Sequence, residues 1–519
     1  MARNTLAPGG YIGGEPPRRP YFNQLSGVWK LEDEVDRQKA GTWANPLGIE
    51  DLFSTYLYTG NGSTQTITNG IDLAGKGGLV WTKNRGDDSA GLGHFFWDTV
   101  RGNNGANQSY FLRSNAADAE STDGGFITST SSTGYTVGNT NRTNGSGGSF
   151  VSWTFRKAAK FFDVVTYTGN GTGQSIAHNL GSEPGFVIIK ASSTSGNWVC
   201  YHRSLGTGNA VFLNLTNSST AASDISAVSS TTFSVSGSQP RSNESGQTYV
   251  VYLFAHDAGG FGDSGNESII KCGSYTGNGT VNNATTEQPG PDINLGWEPQ
   301  WVMIKNTTSS DGWWIFDTMR GFNVNPNGPQ LGLYANTSGA ESTLGTSFVY
   351  LKLTNTGFKI TAGTGAYFNG SGNNYIYVAI RRGPMKAPTD ATKVFKANTY
   401  TGNGSLLSIT GAGFPPDFSF TTRRDTASWV VTDKPRGASL SLYAQATDAE
   451  VNNTTFEVRS YDQSGITYGQ NSVVNGSSSP HVNYLFRRAP GFFDVVAYTG
   501  NATNRTVAHN LGVVPELMI

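Results

Sequence analysis

The chain has 519 residues, of which 14% are charged and 67 are glycine, against about 25% charged and about 7% glycine in ordinary soluble domains. Lys+Arg number 36 and Asp+Glu 37, a formal charge of -1, which excludes the basic surplus that nucleic acid or an anionic membrane surface requires. Aromatic residues at 12% exclude global disorder, because they supply large buried area.

Residues 1–50 match nothing later in the chain. Gly14 to Pro20 carries three prolines and two arginines, which neither a helix interior nor a central strand accepts. Residues 28–40 hold the one convincing helix, with Val28, Leu31 and Val35 on one face and Gly41 as terminator. A helix this short is marginal alone, so the segment is expected to pack against the first module, a copy of itself or another protein. Trp29, Leu31 and Val35 are the candidate anchor contacts. The early residues lack the basic-then-apolar layout of a signal peptide, and no run reaches the ~18 apolar residues of a membrane helix.

From Tyr58 onward the chain repeats. Tyr-Thr-Gly-Asn-Gly occurs at Tyr58, Tyr167, Tyr275 and Tyr400, with a degenerate copy at Tyr498. Four more landmarks recur in order after each complete copy. The first is an acidic-to-Arg-Gly turn, Asp98/Arg101, Asp317/Arg320 and Asp433/Arg436, replaced in the second module by His202-Arg203-Ser204-Leu205-Gly206. Next come a Leu/Asn/Ala-rich segment that ends at Glu120, Glu341 and Glu450, and a Gly-aromatic strand around Tyr135, Phe233 and Phe358, with Ile466 in the fourth copy. Last is a closing strand such as Val151-Ser152-Trp153-Thr154-Phe155-Arg156. Repetition with a period near 110 residues is the mark of tandem domains.

The closing strand alternates apolar and polar residues, the period of two of a half-buried strand in an antiparallel sheet with one wet face. Similar strands at 78–84, 95–101, 110–114 and 186–190 are separated by Gly/Asn/Ser turns, the spacing of a β-sandwich. The expected fold is all-β: a tandem array of antiparallel β-sandwich modules, jelly-roll-like and each with its own core, after an extended anchor with one short helix. The boundaries are 1–50 for the anchor, then 51–159, 160–262, 263–388 and 389–490 for four modules. Residues 491–519 begin a fifth. Phe492–Ile519 matches Phe161–Ile188 at a constant offset, so residues 516–519 should form a core strand, and the sequence is expected to continue beyond Ile519.

Catalytic signatures are missing: no nucleophile elbow, zinc helix, phosphate loop or calcium loop is present. Cys200 and Cys272 are expected to be small buried hydrophobes. His178 and His509 occupy equivalent turns and read as structural. Asp98, Arg101, Asp317, Arg320, Asp433 and Arg436 read as turn braces, each within its own module, and Glu120, Glu341 and Glu450 as their companions. Trp198, Trp301, Trp313, Trp314 and Trp429 are expected in strand cores rather than on sugar-stacking platforms. The Asn-x-Ser/Thr triplets at Asn61, Asn107, Asn141 and Asn170 read as turns. No cofactor, metal site or catalytic residue is expected.

The pentapeptide, His178-Asn179-Leu180-Gly181, the strand ending at Lys190 and the Arg-Gly turn together resemble the repeat domains of tail-fibre-like virion proteins of bacteriophages, marine and cyanobacterial ones in particular. The resemblance covers residues 52–519, and Gly27 to Leu31 with Ala40 to Trp43 is more weakly similar to attachment motifs of such proteins. It implies a virion appendage, on tail or head, made in the host cytoplasm. The implied partners are other virion proteins through residues 1–50, a host-surface glycan or protein, and further copies of the chain, with a trimer favoured. A head-vertex fibre or decoration protein and a virion glycan depolymerase are the alternatives. The receptor-binding residues are not legible.

Overall fold

β-Branched and aromatic runs favour strands, and the Gly/Asn/Ser clusters between them favour turns. The computed structural model describes residues 47–519 apart from 87–91, 105–107, 281–289, 323–329, 345–350, 362–366, 453–456 and positions 238, 264, 426, 427, 439 and 499. Before residue 47 it describes only the short antiparallel pair Leu6–Ala7 and Tyr11–Ile12. The expected helix at 28–40 and the anchor candidates Trp29, Leu31 and Val35 lie outside the described residues.

The described chain is almost entirely β. Module 1 has a six-stranded sheet in the spatial order Phe53–Thr59, Ser149–Arg156, Gly78–Asn84, His94–Asp98, Ser109–Arg113, Ser121–Asp123. A three-stranded sheet of Gln65–Thr68, Gly134–Val137 and Ile127–Ser131 packs on one face. Modules 2, 3 and 4 repeat both sheets in the same order over 162–255, 270–381 and 395–486. The pairing is antiparallel throughout these sheets.

The pentapeptide is a clasp between the first strand of a module and the turn before its last. Tyr58 Oη donates to the Thr143 carbonyl at 2.6 Å, as Tyr275 does to Phe368 at 3.0 Å and Tyr400 to Val474 at 2.6 Å. Tyr167 reaches Ser242 in the same way. A side chain at Gly60, Gly169, Gly277 or Gly402 would run into the carbonyl oxygen of residue 145, 244, 370 or 476. The following Asn turns back on its own loop: Asn61 Oδ1 accepts from Ser63 N at 2.9 Å and Asn403 Oδ1 from Ser405 N at 2.8 Å.

Two expectations about the core are corrected. Val151, Trp153 and Phe155 do not face their own small sheet. Phe150, Ser152 and Thr154 do, together with Val80, Phe95 and Tyr135. Ser152 and Thr154 are fully buried rather than wetted, and Thr154 Oγ1 accepts from Asn69 Nδ2 at 2.9 Å. Modules 1 and 3 each keep a core of their own between large and small sheet, but modules 1, 2 and 3 also share a second core. The outer faces of their large sheets join in one cluster that contains Trp81, Phe96, Trp153, Ile188, Tyr252, Met303 and Ile315. Alternation told which face is apolar; what covers it is a tertiary matter.

Modules 1, 2 and 3 close into a ring with three equivalent seams. After the segment that follows its fifth strand, each module donates a main-chain N–H to the end of the next module's third strand. These bonds are Glu120 N to Ser192 O at 2.8 Å, Ser219 N to Thr307 O at 2.9 Å, and Glu341 N to Arg85 O at 2.8 Å. The third bond returns from module 3 to module 1. Such a head-to-tail contact forms a ring only when its rotation closes, and here it closes after three modules.

Residues 491–512 reproduce the opening of module 2. The bridge Ala489–Phe493 matches Ala158–Phe162. Asp494 Oδ2 accepts from Asn510 N at 2.7 Å, as Asp163 Oδ2 does from Asn179 N. Residues 516–519 do not form the expected strand, and Leu517, Met518 and Ile519 are exposed. Their counterpart Pro184–Ala191 is held between Thr248–Ala255 and Val199–His202, neighbours that have no equivalent in residues 491–519.

Candidate functional site

The recurring charged residues converge on the seams. In module 3, Arg320 Nε donates to Asp317 Oδ2 at 2.6 Å, Nη1 to Glu341 Oε1 at 3.0 Å and Nη2 to the Ile315 carbonyl at 2.9 Å. Arg101 repeats this with Asp98 at 2.7 Å, Glu120 at 3.3 Å and the Phe96 carbonyl at 3.2 Å. Arg436 does so with Asp433 at 2.6 Å, Glu450 at 2.9 Å and the Val431 carbonyl at 3.4 Å. The glycine after each arginine has positive φ, +58° at Gly102, +97° at Gly321 and +118° at Gly437, a conformation that glycine adopts without a Cβ penalty.

The braces are not confined to their own modules. Tyr252 of module 2 donates to Asp98 Oδ2 at 2.9 Å, and Arg101 Nη2 lies 3.2 Å from the Tyr252 hydroxyl. Trp153 Nε1 of module 1 donates to Asp317 Oδ2 of module 3 at 3.0 Å, and Arg320 stacks over the Trp153 ring at 5.4 Å. At the remaining seam, His202 stands where the aspartates stand, its Nε2 3.1 Å from the Tyr377 carbonyl of module 3. Burial opposes the charge on Arg101, but Asp98, then Tyr252 and Glu120, outweigh it and hold the guanidinium above its usual range. Burial drives the His202 imidazole down to about 3, so it is neutral at this seam.

The indoles complete the seams. Trp198 Nε1 donates to the Arg113 and Ala116 carbonyls of module 1, both at 3.0 Å, and Trp313 Nε1 to the Phe212 carbonyl of module 2 at 2.9 Å. His94 takes this position in module 1 and faces the Tyr334 carbonyl of module 3. Trp301 and Trp314 are also buried, whereas Trp429 of module 4 is half-buried. Cys200 and Cys272 are free thiols in the shared core, pushed up by burial. His178 and His509 each accept from the N–H two residues on, at 3.2 Å.

Reading the repeats did not single out one residue of each module. Asn144, Asn243, Asn369 and Asn475 are almost completely buried. Each accepts from the pentapeptide asparagine N–H, at 2.9, 3.1, 2.9 and 2.9 Å. Each amide nitrogen in turn donates into its loop, as Asn144 does to the Gly138 carbonyl at 2.7 Å. The signal was available: each of these asparagines begins an Asn-x-Ser triplet nine residues before Trp153, Tyr252, Val378 and Tyr484.

A cavity of about 490 Å³ lies where module 4 meets module 3. Arg488 grips Glu298 with two bonds of 2.7 Å, Arg382 lies 3.6 Å from Glu298, and Lys434 lies 3.7 Å from Asp417. Burial alone would raise the Glu298 carboxyl, but Arg488 and Arg382 pull it below its ordinary value. Burial likewise opposes the Asp417 charge, and Lys434, Arg488 and Arg382 overcome it. Both carboxylates are therefore held in the ionised form by the cations around them. Among the described residues no three His, Cys, Asp or Glu side chains are placed to hold a metal ion, and no helix is long and apolar enough to cross a membrane.

No curated protein matches the chain. One family does, described as a domain of unknown function (DUF7483), over residues 49–384 and again over 390–519. The first match coincides with the three-module ring, and the second starts just before module 4. With 49–384 and 390–519 both matched, the chain belongs to the DUF7483 family.

Proposed function

We propose that the chain is a structural fibre protein of a bacteriophage virion, which spaces and presents β-sandwich modules for multivalent adhesion to the host surface. The observation that carries this reading is the use made of the repeat's charged and aromatic landmarks. Asp98, Arg101, Asp317, Arg320, Trp153 and Tyr252 are engaged in module-to-module contacts. A rigid unit of this kind suits a spacer, and repeated weak sites on such a spacer gain avidity without new contacts. Residues 1–50 attach the fibre to another virion protein, with Trp29, Leu31 and Val35 as contacts.

Two measurements test the proposal. Purified protein is expected to bind host cells saturably without releasing reducing sugar, and particles assembled with a chain lacking residues 1–45 are expected to lose it. Sustained sugar release would favour a depolymerase, and full incorporation without residues 1–45 would overturn the anchor.

A further inference from the structure

The cavity between module 3 and module 4 carries more positive charge than the acids around it neutralise. Arg382, Lys434, Arg459, Arg487 and Arg488 line it, against Glu298, Asp417 and Asp462. Arg85 and Arg320 also reach its wall, but Glu341 and Asp317 hold them. Asp494, outside the lining, lies 3.7 Å from Arg382. With Asp494 counted, five cations meet four carboxylates, which leaves one positive charge in excess. Residues 323–329 and 453–456, close in sequence to lining residues, bring no further Asp or Glu.

The excess falls on two arginines. Arg488 is spent on Glu298, and Asp462 on the hydroxyls of Ser460 and Thr467, at 2.7 and 2.6 Å. Arg382 comes no nearer than 3.6 Å to Glu298 and 3.7 Å to Asp494, beyond hydrogen-bond reach. Its side chain is only 11% exposed, and its Nε has no acceptor. Arg487 makes no ion pair among the described residues; Asp417 and Glu50 act on it from farther away, and burial holds its guanidinium below the ordinary value. Burial, and then Arg488, does the same to Arg382. Buried polar groups without partners are rare in folded proteins, and a bound ion is one of the things that satisfies them.

The remaining wall suits an organic body. Phe322, Met319, Leu331 and Leu353 line it, and about 490 Å³ falls within the roughly 300–1,000 Å³ of small-molecule sites. Guanidinium groups match a carboxylate with planar pairs of donors. One excess charge balances one carboxylate, whereas a phosphate group brings up to about two negative charges. We infer that this cavity binds a monocarboxylate of monosaccharide size, whose carboxylate accepts from Arg382 and Arg487 while its body lies against the apolar wall. The inference concerns a ligand site, and its readout is binding in solution, so it stands or falls separately from adhesion.

The test is calorimetric titration of the full chain with glucuronate, and with glucose as the same ring without the carboxylate. Saturable one-to-one binding of glucuronate is expected, and none of glucose. Arg487→Gln should weaken glucuronate about tenfold or more, the loss of a charged hydrogen bond. Its unfolding midpoint should stay or rise, because the change removes a buried charge that has no partner. Arg382→Gln should weaken binding in the same way. Arg142→Gln, which removes an arginine held by Asp123 in module 1, should leave binding unchanged. No glucuronate binding up to about 10 mM, equal binding of glucose or inorganic phosphate, or a folded Arg487→Gln chain with unchanged affinity would overturn the assignment. Weakened binding in Arg142→Gln, or an Arg487→Gln chain that loses stability along with binding, also counts against it.

Discussion

Buried polar side chains do most of the specifying at the scale of single residues. Gly60 and its three counterparts allow a carbonyl to approach where no Cβ fits, and Asn144 and its counterparts satisfy the loop that results. His202 stands where the seam aspartates accept but donates instead, to the Tyr377 carbonyl, and it makes stability depend on pH. Burial holds its folded pKa near about 3, below the ordinary value of about 6.5. Above pH 6.5 neither state is protonated and nothing is lost. As pH falls below that value the unfolded chain takes up a proton that the folded one refuses, so stability declines toward the folded pKa. From pH 7 to pH 5 the loss expected from this residue is about 2 kcal/mol. His94, lowered by burial and then by Lys83 and Arg320, acts in the same direction. Denaturant midpoints at the two pH values check this: His202→Gln should flatten the dependence, and an unchanged slope would show that His202 is not its source.

Among the elements, the last strand of each module decides the architecture. In Ser149–Arg156 both faces are covered over the middle of the strand: Phe150, Ser152 and Thr154 meet the small sheet side, and Val151, Trp153 and Phe155 lie in the cluster shared with modules 2 and 3. The Arg-Gly turn at the end of the fourth strand serves this packing, so its cost of removal follows the seam. Arg320 is fully buried, with Asp317 and Glu341 as partners and Trp153 beneath it. Arg320→Ala leaves buried carboxylate uncompensated and should cost about 3–5 kcal/mol. Arg436 has the same bonds but faces the open side of module 4, and its partner Glu450 is exposed. Arg436→Ala should cost about 1.5–3 kcal/mol, the range of a hydrogen bond to a charged group, because only the Glu450 side of its brace is open to solvent. Equal losses in the two variants, measured by chemical denaturation, would mean that the seam adds nothing to the brace.

In the whole molecule the ring, not the module, is the cooperative unit. An isolated module 1 would expose Trp81, Phe96, Trp153 and Phe155, which the ring buries completely. Regions that share a core open together. In hydrogen exchange the amides of Ser149–Arg156, Thr248–Ala255 and Asn374–Arg381 should therefore lose protection in one step, while Pro480–Phe486 of module 4 opens separately. Three distinct steps for modules 1, 2 and 3 would contradict a shared core. The family match over 49–384 spans this same ring.

What could be read without coordinates was whatever the chain encodes locally. The pentapeptide, the Asp/Arg/Glu landmarks and the alternating closing strand are short-range signals, and they led to tandem antiparallel β-sandwich modules because strand period and turn chemistry act over a few residues. The sequence by itself also set which face of each strand is apolar. It could not say what lies over that face, because a period of two is the same whether the cover is a module's own small sheet or the sheets of two neighbours. Only the tertiary structure decided that Trp153 turns toward module 3 while Ser152 turns inward. Only it showed that His202 can replace an aspartate at a seam where the partner is a carbonyl. Burial and hydrogen-bond partners at those positions come from segments more than 150 residues away, a distance over which local pattern carries no information.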